Sequence, residues 1–368
     1  AATVSLSRDQ DQSQVIYGPM MTERTDRRSA QISLTQPLFT WGQVSAAIRA
    51  AKVGLQSADE QLRIYRQAAW RDVSAAFHDV LLARELHALA LHNIEQRKRH
   101  REEAKRKFQA GVATDYDLLA AEVSVENARP EVIRTENQVR TARERLRFLL
   151  AVEQGEVDVT GSLEVIFRPY RSYEEALSLA REKRPDLADI RHRIGVAREL
   201  VVLADAQDKP RLDMKGSYGW NSVEQPSVYG DGPSWSVGVQ LSYPFFDGFR
   251  TRGRVEQAKS DLRRIEIDEA KQIDAVALET RDAVYAVREA EEIVRSLSGT
   301  VSQAERLLEM AEKGYVLGVK NRLDVEDAEF NLRQARSSLS RSRRDYLVAR
   351  VNLDWVTGVL GEEKGISP

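Results

Sequence analysis

The strongest constraint on this chain is that it is written twice. Adding 207 to a residue number carries the first half onto the second, without a gap, for about 110 residues. Pro37-Leu38-Phe39 falls on Pro244-Phe245-Phe246, and Phe108-Gln109-Ala110-Gly111 falls on Tyr315-Val316-Leu317-Gly318. Asp117 falls on Asp324, and Ala121-Glu122 on Ala328-Glu329. Solenoid units repeat every 20 to 50 residues, so a period this long reads as a duplicated half-structure. Any function must make use of two similar halves.

Each half opens on period-two alternation, the mark of strands with one apolar and one polar face. In the second half Leu212, Met214, Tyr218 and Trp220 alternate with Asp213, Lys215, Ser217 and Gly219. After a loop expected over Asn221 to Ser234, signalled by Gly-Asp-Gly, the residues Trp235, Val237, Val239, Leu241 and Tyr243 alternate with polar neighbours. Val4 and Leu6, then Ile32 and Leu34, do the same in the first half. Two readings fit: a membrane strand with its apolar face on lipid, or a soluble hairpin with one face on a core. Pro37 and Pro244 are expected to mark the exits from the sheet, because proline cannot donate to a strand ladder.

A very long helical pattern follows in each half. Val44, Ile48, Ala51, Leu55, Ala58, Leu62, Tyr65 and Ala69 step by fours and threes, which predicts a coiled-coil seam. Gln43 to Phe108 contains no proline, and a helix of that length spans about 100 Å. Gly111 and Gly318 supply the left-handed residues that end the long helices. Repeat 1 is therefore assigned to residues 1–150: hairpin about 1–37, long helix about 43–109, return helix about 115–150. Residues 151–207 form an inter-repeat segment with short helices over Ser172 to Lys183 and Leu187 to Gln207, split at Arg184-Pro185. Repeat 2 occupies residues 208–358: hairpin about 208–246, long helix about 250–315, return helix about 322–356. Residues 359–368 are a C-terminal tail. Because the short helices have no counterparts before Ala1, about 35 to 40 residues of the mature N-terminus are expected to precede it.

Composition narrows the function classes. Charged residues make up 30% of the chain, yet the net charge is only −2, so no global nucleic-acid footprint is present. There is no cysteine, which removes disulfides and thiolate metal sites. No run approaches the 18 to 20 apolar residues of a membrane helix, although a membrane β-barrel leaves no such signal. His78, His87, His92, His100 and His192 lack metal-site spacing, and no phosphate loop, dinucleotide fingerprint or nucleophile elbow occurs. Neither an enzyme nor a cofactor is indicated. The basic run Arg97 to Lys107 reads as a solvated helix face, with a partner-docking surface near the helical tip as the alternative.

The turns after the long helices are richer. Thr114 and Asp117, like Asn321 and Asp324, are spaced as an N-cap and its third helical residue. Asp327 lies one turn further in, where the first copy has Ala120. Two aspartates at i and i+3 share a helix face and repel each other, which suits a wet face or a charge with a task.

Four strands cannot close a barrel, and open edges are not tolerated in lipid, so membrane strands would have to be pooled by several chains. With Gln36-Pro37-Leu38-Phe39 and Tyr243-Pro244-Phe245-Phe246, the paired turns, and Arg184-Pro185-Asp186-Leu187, the whole chain resembles the TolC-like outer membrane efflux family. The resemblance implies an α+β membrane protein: a homotrimeric twelve-stranded β-barrel in the outer membrane of a Gram-negative bacterium, continuing into a long periplasmic α-helical coiled-coil barrel. It implies a passive exit duct that partners a periplasmic adaptor (membrane fusion) protein and an inner-membrane transporter. An equatorial belt would come from residues near 151 to 190 and the C-terminal tail. Carried over by motif, Asp324 and Asp327 would line the periplasmic aperture, and Asp117, Tyr315 and Lys320 would tether it. Lys320 stands where the family often has arginine, Arg322 is an extra cation, and Tyr116 is bulkier than usual. The turns with Gly111, Val112, Gly318 and Val319 would meet the adaptor, and Tyr218, Trp220, Trp235 and Tyr243 the lipid interface. Type I protein secretion uses the same architecture, and a soluble coiled-coil scaffold is the reading from a different class.

Overall fold

Two hairpin-and-helix-pair sequences, separated by two short helices, order the chain in the computed structural model, which describes residues 2–14, 22–153, 155, 157–225 and 228–361. Strands β1 (Ala2–Gln14) and β2 (Thr22–Phe39) precede helices α1 (Gln43–Gln109) and α2 (Asp115–Leu149). Helices α3 (Tyr173–Lys183) and α4 (Pro185–Asp205) follow, then β3 (Arg211–Gln225), β4 (Val228–Ser242), α5 (Arg250–Val316) and α6 (Arg322–Val356). The long helices are both 67 residues and the return helices both 35, and every bound in the second pair lies 207 residues beyond its equivalent.

Contacts divide the chain into two units that cut across the copies, each taking a piece of both. The first joins residues 1–58 to 190–269. Its centre is an antiparallel sheet in the order β1-β2-β3-β4. Register aligns Val4, Ile32, Tyr218 and Trp235 in one row, so every strand turns its apolar residues to the same face. The opposite face carries small polar residues, with Ser7 bonded to Ser29 and Ser217 to Ser236 at 2.8 Å. Beside the sheet, α4 docks on α1 through a bidentate Arg49–Glu199 pair at 2.9 and 2.8 Å.

Three expectations are corrected here. The stretches 221–225 and 228–234 are strand rather than loop: Asn221, Ser222 and Val223 pair with Gly232, Asp231 and Gly230. Hairpin register outweighs the weak strand propensity of glycine, about 0.5–1 kcal/mol per residue, and residues 226–227 fall outside the described residues. Pro37 does not end β2, which runs to Phe39 with a register shift between Pro37 and Phe39; the proline sits at an irregularity that removes the need for its missing N–H. Pro185 is the first residue of α4, two residues earlier than expected, because its fixed φ suits a first helical turn.

The second unit, residues 59–189 and 270–368, holds the apolar cores. Ala76, Val80 and Leu81 of α1 pack with Leu146 of α2, and Ile94 with Val125 and Ala128. Val284, Val287 and Val294 of α5 pack with Leu339, Tyr346 and Leu353 of α6. Each helical hairpin is thus closed by its own apolar core. The seam expected on α1 is not: Leu55 and Tyr65 are 66% and 73% exposed, while Ala46, Ser57 and Gln67 are buried instead. Small residues pack closely among the described residues, and the large apolar stripe is left exposed.

Candidate functional site at the helical turns

Both turns are built alike. Gly111 and Gly318 adopt φ of 72° and 75°, so that Val112 N–H reaches Lys107 O at 3.0 Å and Val319 N–H reaches Gly314 O at 2.9 Å. Capping boxes then start the return helices. Asp117 N–H donates to Thr114 Oγ1 at 3.2 Å, and the Asp117 carboxylate accepts from Thr114 N–H at 2.9 Å. Asp324 N–H donates to Asn321 Oδ1, and the Asp324 carboxylate accepts from Asn321 N–H, both at 2.9 Å. The Thr114 hydroxyl and N–H hold the Asp117 carboxyl below the usual carboxylate range. The Asn321 N–H, with help from Lys320, does the same for Asp324.

The structure brings some of the sequence-selected residues together and separates others. Lys320 Nζ lies 3.3 Å from Asp324 Oδ1, and a side chain on Gly314 would collide with Lys320 Cγ at 2.6 Å. Arg322 pairs along its own helix with Glu326 at 3.0 Å. Asp327 is exposed and has no ion-pair partner among the described residues. Val112 and Val319 are 75% and 77% exposed at the turns, with Tyr116 beside them equally open. Asp117 makes no ion pair among the described residues, but it lines a cavity of about 360 Å³ with Tyr315 and Arg322. In the sheet, Tyr218 faces Trp235 directly and Trp220 faces Pro233, while Tyr243 lies one residue past β4.

Several residues of this region escaped sequence reasoning. Lys107 Nζ donates to Tyr315 Oη at 3.1 Å and pairs with Glu103 at 2.8 Å. It thereby joins the end of α1 to the end of α5, and these acceptors hold its ammonium above the ordinary lysine value. His100 Nε2 meets Glu329 at 3.3 Å; burial lowers the imidazole and raises the carboxyl, so both shifts favour the uncharged forms. Further along, Asn93 Oδ1 accepts from Arg333 at 2.5 Å, Glu85 from Ser340 at 2.8 Å, and Asp79 from Arg344 at 2.7 Å. Between His100 and Asp79 the α1–α6 seam is polar, with Leu347 packing on the α1 apolar cluster only beyond it, whereas the helices within each hairpin meet through apolar cores. The available signal was disagreement between the copies, since Lys107 stands opposite Gly314 and His100 opposite Leu307.

Comparison with known proteins agrees with this architecture. A family model described as outer membrane efflux protein matches residues 1–152 and 176–359. The chain is 28% identical over 344 residues to alkaline protease secretion protein AprF of Pseudomonas aeruginosa, covering 92% of this chain and 71% of that protein. It is 24% identical over 350 residues to outer membrane protein TolC of Vibrio cholerae, covering 92% and 78% respectively. The solved CmeC outer membrane channel of Campylobacter jejuni superposes with a TM-score of 0.78 at 16% identity, covering 99% of this chain and 79% of that one.

Proposed function

The chain belongs to the outer membrane efflux protein family, and from that premise we propose that three copies pool their sheets into one twelve-stranded barrel and their long helices into a shared tunnel. As a member it is an outer-membrane channel component that works with a periplasmic adaptor and an inner-membrane pump. The observation that carries the assembly is the sheet. One face carries the apolar residues of all four strands, and the outer edges of β1 and β4 pair with no other strand among the described residues. Lipid accepts the apolar face but not open edges, so closure must come from other copies. The exposed seam of Val44, Ile48, Leu55, Leu62 and Tyr65 supports the same reading, since a second chain would cover it.

In this assembly Asp324 and Asp327 of each copy ring the periplasmic entrance and attract cations. Lys320 neutralises part of the Asp324 charge, which leaves Asp327 as the more active member. Tyr315 tethers the second hairpin to the first through Lys107, and Asp117 and Arg322 border the same cavity. The exposed turns around Gly111, Val112, Gly318 and Val319 receive the adaptor. Tyr218, Trp220, Trp235 and Tyr243 sit at the membrane interface, where aromatic rings are favoured. The mass of the detergent-extracted protein tests this directly: a trimer that conducts in planar bilayers is expected, and a water-soluble monomer or dimer refutes it. Protein export is a second reading, favoured by the similarity to a protease secretion protein. The inner-membrane partner that co-purifies, a proton-driven pump or an ATP-driven exporter, separates the two.

A further inference from the structure

A groove of about 1100 Å³ lies where α1, α2 and α6 meet, and its charge is unbalanced. Five arginines line it against two acids, Asp79 and Glu131. Both acids are already engaged, Asp79 by Arg344 and Glu131 by Arg134. Arg97 and Arg333 are half-buried and have no ion-pair partner among the described residues. They converge on one neutral acceptor: Asn93 Oδ1 takes Arg97 Nε at 3.2 Å and Arg333 Nη1 at 2.5 Å. Arg97 Nη1 also donates to Ser124 Oγ. Burial and the neighbouring Arg97 both disfavour the Arg333 charge, yet a guanidinium stays charged in proteins.

Two cations pressed onto a single amide oxygen are an unfavourable arrangement on their own. Glu329, the other acid that attracts Arg333 and also Arg97, lies beside His100 and is pushed by burial toward its uncharged form. Each guanidinium carries five donors, and the contacts above use one on Arg333 and two on Arg97. The repeat does not account for the pair, because the equivalent positions are Ala304 and Glu126. Paired forks with spare donors bordering a groove match the bidentate geometry of an oxyanion.

We propose that this groove is an oxyanion-binding site, with Arg97 and Arg333 as its anchors, for a small molecule bearing a phosphate or carboxylate group. The bound group takes the donors that protein acceptors leave open, while Asn93 and Ser124 hold the two guanidiniums in register. Every residue named at the site belongs to one chain.

The test is calorimetric titration of the intact, detergent-solubilised protein with inorganic phosphate and, separately, with succinate at low salt. Saturable binding of at least one probe is expected, and which one binds identifies the group recognised. Arg97→Met or Arg333→Met should each weaken it by about tenfold or more, and the double variant should abolish it. Arg134→Met, which removes an arginine already paired with Glu131, should weaken it less. If the double methionine variant does not assemble, Arg97→Lys with Arg333→Lys keeps the charge but loses the forks and should still weaken binding. No saturable binding of either probe, binding undiminished by these changes, or equal competition by chloride would overturn the proposal.

Discussion

Replacing Arg184 with methionine should loosen the α3–α4 junction by about 3 kcal/mol. Arg184 is extended because the residue before a proline avoids helical geometry, and its N–H still caps α3 by donating to Ala180 O at 3.1 Å. Its buried guanidinium forks onto Asp186 at 2.9 and 2.6 Å and reaches Glu279 at 2.6 Å. Asp186 also accepts from Gln272 at 2.7 Å and from the Leu187 N–H at 3.0 Å. Deleting the cation leaves a carboxylate that is only 25% exposed with neutral donors alone. Removing one partner of a buried pair costs about 3–5 kcal/mol. The lower end applies here because the Glu279 side chain is 44% exposed and regains water.

At about 1.36 kcal/mol per decade, this is roughly a 150-fold faster opening. Hydrogen exchange of amides in the last turn of α3 and the first turn of α4 reads it locally. Arg184→Met with Asp186→Asn should recover part of the protection, because no unpaired charge is left behind. Acid adds a signature. Burial alone would raise the Asp186 carboxyl, but Arg184, Gln272 and the Leu187 N–H outweigh it and hold it below the usual carboxylate range. A depressed folded value means that its contribution is complete above the unfolded value of about 3.9 and disappears as pH falls through the lower folded value. That acid loss should shrink in Arg184→Met. Less than about threefold faster exchange in the single variant, against the 150-fold derived from the buried-pair cost, would refute the reasoning, as would a double variant no better protected.

Other consequences can be checked on the assembled protein. Asp327→Ala should reduce cation selectivity in planar bilayers more than Asp324→Ala, whose charge Lys320 already offsets; equal or absent effects would remove both from the entrance. Lys107→Ala or Tyr315→Phe should raise resting conductance, while Lys320→Ala with Arg322→Ala should raise it less, since those cations pair within their own turn and return helix. Unchanged conductance in the first two would place the tether elsewhere. Gly219→Ala should lower the yield of assembled protein, because a Cβ there would lie 2.6 Å from Ala30 O; normal yield would mean that β2 and β3 adjust freely.

How much of this was legible in the sequence depends on the range of the interaction involved. Helix bounds came from local signals: the Thr114/Asp117 and Asn321/Asp324 boxes and the glycines after each long helix act within a few residues. Strand faces were legible from alternation, but the extent of β3 and β4 was not, since pairing across a hairpin carries Gly230 and Gly232 into the sheet regardless of propensity. The seam on α1 was legible as a pattern, but its partner was not, because a heptad stripe does not say which chain covers it. Arg97 and His100 were read as solvated for a related reason. Their partners, Ser124 and Glu329, lie on other helices, and no local rule links them.

The contrast between apolar hairpins and a polar α1–α6 seam says where this structure can rearrange. Separating α5 from α6 would expose Val287, Leu339 and Tyr346 to water, at about 1.5–3 kcal/mol for each large side chain. Parting α1 from α6 exchanges hydrogen bonds for water, at a net cost of about 0.5–1.5 kcal/mol each. Movement at the turns should therefore use the polar seam and leave both hairpins intact. His100→Leu with Glu329→Leu tests this by replacing one polar contact with an apolar one. The seam then gains burial of two leucines, which outweighs the lost hydrogen bond. Seam amides near residues 93–100 should exchange more slowly and the open fraction in bilayers should fall. Faster exchange at the seam, with hairpin amides unaffected, would mean that the polar contacts hold the hairpins together rather than letting them part.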